Sequence, residues 1–147
     1  MSVRKVFPPR IRDGEPLRIA VPGRIDRRKG SDVVVAAAEI ASRCRLPLRF
    51  EVLGSLVVDA STLARAGRAL IVHGSYERGD FAAELSAVAP HLAWVPTQVP
   101  ETWCYVLSEL FGLAMPVAAT SMVRRPCSMV TTSASWPRCS GPPRARS

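Results

Sequence analysis

The sequence lacks long apolar runs, closely spaced cysteines and a secretory leader. No stretch of about 18 apolar residues occurs, so a membrane-spanning helix is not predicted. The N-terminal segment MSVRKVFPPRIRDGEP has no apolar core of the kind a signal peptide needs. The four cysteines form no CxxC pair, which argues against disulfides and against a metal knuckle. These absences favour a soluble, cytoplasmic protein with reduced thiols.

Acidic residues are absent from one end of the chain, so the net charge of +8 is unevenly distributed. Residues 1–120 hold 15 Lys and Arg against all 12 acids, whereas residues 121–147 hold five Arg and no acid. No aromatic interleaving and no basic helical stripe accompany the arginines in the body of the chain. Nucleic-acid binding is therefore not expected, and a basic nucleic-acid-binding protein remains a lower alternative.

Short apolar runs alternate with helical segments through residues 17–120. The runs that predict buried strands are Leu17–Val21, Leu48–Leu53, Ala69–His73, Leu92–Val95 and Pro116–Ala119. The predicted helices are Asp32–Cys44 with Ser31 as its N-cap, Gly79–Val88, Glu101–Leu113 and a short turn at Ser61–Ala66. This alternation is typical of a Rossmann-like open α/β domain, a parallel sheet with helices on both faces. Ligands of such sheets bind at the carboxyl ends of the strands.

Two glutamates stand eight residues apart in the segment VPETWCYVLSEL. If Pro100 begins one continuous helix, eight residues turn about 800° and rise about 12 Å, so Glu101 and Glu109 face the same side. That separation exceeds the roughly 5 to 9.5 Å of a glycosidase carboxylate pair. It fits the two ends of one extended polar ligand. The alternative is a solvated helix face that carries two unrelated glutamates.

The loop after the first predicted strand, PGRIDRRKGSD, carries glycines and cations and leads into a helix. Gly23 permits a close backbone approach, Arg24 and Lys29 supply positive charge, and helix N–H groups attract anions, so a phosphate is the expected ligand. The loop matches neither the Walker pattern nor the dinucleotide glycine pattern. By itself, such a loop is also common on basic protein surfaces.

Together the two motifs resemble the C-terminal, donor-binding domain of GT-B-fold glycosyltransferases, specifically the retaining group 1 type. The shared features are Gly-Arg, four residues and Lys-Gly after the first strand, then Glu, seven residues and Glu after the fourth. LAWVPTQVPETWCYVLSE and MPVAAT are similar to the family's glutamate segment and following strand, and the resemblance covers about Leu17–Thr120. It implies transfer of a sugar from a UDP-, GDP- or dTDP-linked donor to a saccharide acceptor, in polysaccharide biosynthesis.

The resemblance also implies roles for individual residues at the sugar and phosphate end of the donor. Arg24 and Lys29 match the positions that hold the diphosphate and its leaving charge, with Gly23 beside them. Glu101 matches the glutamate that binds the donor sugar, next to Thr102. Arg24, Lys29 and Glu101 are accordingly the candidate catalytic residues. The sequence has no D-x-D pair, so neither a metal nor another cofactor is expected.

The resemblance places the nucleoside end of the donor at two further points. Glu109 matches the glutamate that accepts hydrogen bonds from the ribose hydroxyls. Backbone groups of Gly74, Ser75 and Tyr76, after the third predicted strand, are weaker candidates for base contacts. Neighbouring His73 is interpreted as a structural residue at the strand end.

The chain departs from the family pattern at both ends. Residues 1–16 are a lead-in, residues 17–120 the incomplete donor domain, and the N-terminal acceptor domain of the family has no counterpart. Residues 121–147 hold six Ser, five Arg and four Pro, a composition typical of disorder, and we interpret this tail as an out-of-frame reading. Ala114 stands where a helix-ending glycine is expected. The expectation is a truncated enzyme that is inactive alone; the alternative is a non-catalytic nucleotide or nucleotide-sugar binding module.

Overall fold

Five parallel strands form one sheet in a computed structural model that describes residues 8–100 and 104–120. Neighbouring strands follow the order β3-β2-β1-β4-β5, with every pairing parallel. The strands are β1 (Leu17–Pro22), β2 (Leu48–Leu53), β3 (Leu70–Gly74), β4 (Leu92–Val95) and β5 (Val117–Ala119). The predicted Rossmann-like open α/β fold is confirmed.

Four α-helices connect the strands. They are α1 (Ser31–Arg43), α2 (Ala60–Arg65), α3 (Phe81–Val88) and α4 (Tyr105–Gly112), and single 3₁₀ turns at Gly67–Ala69 and Arg78–Asp80 precede β3 and α3. Asp59 caps α2, and hydrogen bonds from the Ser61 hydroxyl and from the Thr62 N–H and hydroxyl lower its pKa to about 2. Among the described residues, no helix is both long enough and apolar enough to cross a bilayer.

Side chains that alternate along the strands divide the core between the two faces of the sheet. Ile19 and Val21 belong to a cluster under α1, whereas Ala20 belongs to a cluster under α3 and α4. Burial of each Val, Leu, Ile or Phe contributes about 1.5 to 3 kcal/mol, so these clusters fix the helices against the sheet. The prediction that helices cover both faces is confirmed.

Helix α1 begins differently from the sequence prediction. Its N-cap is Gly30, in a left-handed conformation with φ of 89°, and Ser31 is already the first helical residue. Ser31 is buried, and its hydroxyl has no hydrogen-bond partner among the described residues. The prediction of Ser31 as N-cap was wrong because the chain turns into the helix one residue earlier, at a glycine that tolerates positive φ.

Strand β3 is more exposed than its apolar sequence predicts. Ile71 and Val72, which point to opposite faces, are 36% and 39% exposed. The strand lies at the edge of the sheet, so it has one neighbouring strand instead of two, and the described helices cover it only in part. The prediction of a buried third strand was therefore wrong in burial, although the strand itself forms.

Helix α4 begins later than predicted, at Tyr105. Cys104 has φ of −111° and ψ of 99°, which is extended backbone, and its side chain packs against the α3–α4 core cluster. The geometry that relied on one helix running from Glu101 to Glu109 was therefore wrong. Glu101, Thr102 and Trp103 lie outside the described residues, as does the predicted disordered tail 121–147.

Two smaller boundaries also shift. Helix α3 begins at Phe81 instead of Gly79, because residues 78–80 form a 3₁₀ turn. Cys44 and Cys104, both expected on helices, instead occupy the residue just after α1 and the residue just before α4.

Candidate functional site

A cleft of about 340 Å³ opens at the carboxyl ends of β1, β2 and β3, and residues of α4 line part of it. Each of these strands contributes the residues that follow it directly. The lining residues are Gly23, Arg24, Gly54, Ser55, Ser75, Tyr76, Arg78, Tyr105, Val106 and Glu109. The cleft therefore occupies the edge of the sheet where parallel α/β proteins bind their ligands.

The loop after β1 is held against the loop after β2 by backbone hydrogen bonds. Gly23 N–H donates to the Leu53 carbonyl at 2.8 Å, and Ile25 N–H donates to the Ser55 carbonyl at 2.8 Å. Gly54 has φ of 133°, and a Cβ there would run into the Gly23 carbonyl oxygen. This close approach of two backbones fixes the position of Arg24 at the cleft wall.

The basic end of the same loop packs against the loop after β4. Gln98 N–H donates to the Arg28 carbonyl at 2.9 Å, and a Cβ on Gly30 would run into the Pro96 carbonyl oxygen. Lys29 N–H donates to the Asp26 carboxylate at 3.0 Å, which closes a tight turn. Lys29 lines a second, smaller cavity of about 20 Å³, separated from the main cleft by Val106, which lines both.

Three charged side chains in the cleft wall form no ion pair with any described residue. Arg24, Arg78 and Glu109 all lack a partner of opposite charge within 4 Å in residues 8–100 and 104–120. Burial raises the pKa of Tyr76, and the nearby Glu109 carboxylate raises it further, so phenol and carboxylate share the cleft interior. Cationic side chains and a carboxylate acceptor that line one concave surface without pairing with each other are typical of a binding site for a polar ligand.

Comparison with known proteins identifies the fold but no sequence family. No family model and no curated protein matches the sequence. The apo form of the lipopolysaccharide outer core galactosyltransferase WaaB matches with a TM-score of 0.62 and 13% identity, over 85% of this chain. A GtfA/B complex matches with a TM-score of 0.54 and 19% identity, over 84% of this chain. Both structures are GT-B glycosyltransferases, and the fold of this chain is similar to part of theirs.

This chain spans 35% of the WaaB chain and 24% of the GtfA/B chain that it matches. At such low identities, the likeness to these glycosyltransferases establishes the fold alone. The assignment of individual residues therefore depends on the geometry of the cleft in this chain.

The glycosyltransferase-like fold brings together five of the residues singled out from the sequence. Those that line the main cleft are Gly23, Arg24, Ser75, Tyr76 and Glu109. Lys29 lines the adjoining cavity, and Gly74 forms an isolated β-bridge with Gly54, which lines the cleft. Glu101 and Thr102 lie outside the described residues.

His73 lies outside the cleft and has a structural partner. Its Nε2 is 2.7 Å from Oε2 of Glu51, a carboxylate in β2 that is 5% exposed. This pairing agrees with the interpretation of His73 as a structural residue at the strand end. Among the described residues, no group of three His, Cys, Asp or Glu side chains could hold a metal ion.

Five cleft residues escaped the sequence analysis. They are Gly54, Ser55, Arg78, Tyr105 and Val106. Gly54 and Ser55 follow the predicted second strand directly, so the rule that ligands bind at carboxyl ends of strands could have found them. Arg78 and Tyr105 carried no such signal, because their place in the cleft depends on where the 3₁₀ turn and α4 begin.

Proposed function

We propose that this chain is the nucleotide-sugar donor-binding domain of a glycosyltransferase. The observation that carries the proposal is the cleft itself, in which Arg24 and Glu109 face one space with no ion-pair partner among the described residues. Arg24 follows the first strand and Glu109 belongs to the last described helix, so only the fold unites them. A nucleotide-binding site needs a cation to bind the phosphate groups and an acceptor to bind the ribose hydroxyl groups.

The order of the strands suggests how the donor lies. Neighbouring strands are about 4.8 Å apart, so the ends of β1 and β3 are separated by roughly 10 Å, a distance that one extended nucleotide can bridge. The diphosphate lies at the β1 end beside Arg24, with Lys29 in the adjoining cavity. Glu109 accepts from the ribose diol, and the base points toward Ser75 and Tyr76 after β3.

Charge stabilisation is the chemistry that this arrangement offers. When the bond between sugar and diphosphate breaks, negative charge develops on the leaving phosphate, and Arg24 and Lys29 are proposed to stabilise it. Glu101 and Thr102 are proposed to contact the donor sugar. Transfer to a saccharide acceptor, in polysaccharide biosynthesis, is proposed to require a further domain that supplies the acceptor site.

Calorimetric titration with UDP, GDP and dTDP and with the matching nucleosides tests the proposal. We expect the diphosphates to bind more tightly than the nucleosides. One charge-assisted hydrogen bond contributes about 1.5 to 3 kcal/mol, so Lys29→Ala or Arg24→Ala should weaken diphosphate binding about tenfold and leave nucleoside binding nearly unchanged. Glu109→Gln should weaken UDP more than dUDP, because the lost acceptor serves the 2′-hydroxyl.

Two matched variants control for net charge. Arg68→Ala removes an exposed cation just before β3, at the opposite edge of the sheet from the cleft, and Glu84→Gln neutralises a carboxylate on α3. Neither should change nucleotide affinity. The proposal is wrong if the unmodified chain binds no nucleoside diphosphate, or if the control variants lose as much affinity as the cleft variants.

A further inference from the structure

Arg78 and Tyr105 lie side by side in the wall of the cleft. Arg78 lies in the 3₁₀ turn after β3 and Tyr105 is the first residue of α4. The Arg78 Cζ atom lies 5.9 Å from the centroid of the Tyr105 ring, and both side chains line the cleft. We propose that this pair recognises the base of the bound nucleotide and selects guanine over adenine; this inference rests on the proposed function.

The position of the pair assigns it to the base. Arg24 follows β1, whereas Arg78 follows β3, and β2 separates these two strands, so the two arginines enter the cleft wall from different strands. With the diphosphate at Arg24 and the ribose at Glu109, the part of a nucleotide that reaches Arg78 is the base.

The chemistry of the pair favours a flat ligand with hydrogen-bond acceptors. Tyr105 lines the cleft and is 68% exposed, so its ring offers a base an aromatic surface on which to stack. The Arg78 guanidinium only donates hydrogen bonds, and it has no carboxylate within ion-pair distance among the described residues. It is therefore available to donate hydrogen bonds to acceptors on a ligand.

Among bases, guanine presents the edge that fits a guanidinium best. Its O6 and N7 are adjacent acceptors that bind an arginine fork in bidentate fashion, whereas adenine replaces O6 with a donating amino group. Such a bidentate pair discriminates between bases by about 5- to 160-fold. O6 and N7 are thus the base atoms that the Arg78 guanidinium recognises.

Competition titrations of the full chain with GDP, IDP, ADP and inorganic pyrophosphate test the assignment. Because hypoxanthine keeps O6 and N7 and loses only the 2-amino group, IDP should bind nearly as well as GDP, and ADP about tenfold more weakly. Arg78→Met should lower the affinities for GDP and IDP to that for ADP, and it should leave the affinities for ADP and pyrophosphate nearly unchanged. Arg78→Lys, which keeps the charge but loses the fork, should also lose the preference. Tyr105→Ala should weaken all three nucleotides and keep their order.

Arg68→Met is the matched control and should preserve both affinity and order. The inference is overturned if the unmodified chain binds GDP and ADP equally, or if Arg78→Met weakens pyrophosphate as much as GDP, which would make Arg78 a phosphate ligand. Either result leaves the proposed donor-binding function intact. Failure of every diphosphate to bind overturns both. Equal thermal unfolding midpoints of the variants verify that they are folded, as expected for two exposed side chains.

Discussion

His91 is buried, with 6% of its surface exposed, and its Nδ1 accepts a hydrogen bond from the Arg18 N–H at 2.9 Å. Burial lowers the pKa of the imidazole, and the positive charge of Arg18 lowers it further. Below the usual histidine pKa of about 6.5, the unfolded chain therefore binds more protons at this site than the folded one. The contribution of neutral His91 to stability is complete above that pH and is lost as the pH falls toward the lower folded pKa.

The free energy of unfolding should accordingly fall between about pH 7 and pH 5, and His91→Gln should remove part of that fall. Urea titrations of both proteins across this range measure the effect. The difference between the two pH profiles isolates the contribution of His91 from those of the other titratable groups. Parallel profiles for the two proteins would contradict the prediction.

Gly54 offers a second test at the scale of one residue. Gly54→Ala places a methyl group against the Gly23 carbonyl at a φ of 133°, so the loops after β1 and β2 must separate. We expect a loss of about 1 to 3 kcal/mol in unfolding free energy, as for other overpacked sites, together with weaker diphosphate binding because Arg24 moves. Gly79→Ala is the control, since a Cβ there meets no atom within 4 Å. Equal stability of the two variants would show that the loops are not held by this contact.

Two helices end in the same hydrogen-bonded motif without the usual glycine. After α4, Ala114 has φ of 59°, Ala114 N–H donates to the Phe111 carbonyl, and Met115 N–H donates to the Leu110 carbonyl. After α1, Arg45 has φ of 53°, and Arg45 and the residue after it donate the equivalent two hydrogen bonds to backbone carbonyls of α1. These are Schellman motifs, in which the left-handed position favours glycine. The glycine expected at position 114 is thus missing at a site whose backbone favours it.

Ala114→Gly should stabilise the protein by about 0.5 to 1 kcal/mol, because relief of left-handed strain outweighs the greater chain entropy of glycine. Ala87→Gly is the matched control inside α3, where the same change should cost about 1 kcal/mol. Thermal and urea unfolding measure both. If Ala114→Gly destabilises the protein as Ala87→Gly does, the strain at Ala114 is smaller than the entropy that glycine adds to the unfolded chain.

At the scale of the whole molecule, the two core clusters use residues between Ile19 and Met115. A chain that ends at Thr120 should therefore keep the unfolding midpoint and the nucleotide affinity of the full chain. The same truncation removes five Arg and no acid, so any affinity for DNA at low salt should drop steeply. A large fall in the midpoint would mean that residues 121–147 contribute to the fold. Calorimetry and titration with duplex DNA at two salt concentrations distinguish these results.

The sequence by itself determined the local elements and the class of fold. Each strand of the sheet overlaps a predicted apolar run, and β2 and β4 match their runs residue for residue. Continuous apolar strands between helical segments are a local pattern, and burial on both faces follows from it. The resemblance to glycosyltransferases likewise used short motifs that a linear chain displays, and the solved structures support it at the level of the fold.

Only the tertiary structure decided which residues share the cleft and which strand lies at the edge. Ile71 and Val72 look as apolar as any core pair, yet the strand order leaves them partly exposed. Arg78 and Tyr105 stand far apart in sequence, and they meet because β3 and α4 end and begin beside the same opening. Local periodicity encodes whether a segment is helix or strand. Contacts between residues that are distant in sequence depend instead on long-range packing among elements, and no short stretch of sequence contains that information.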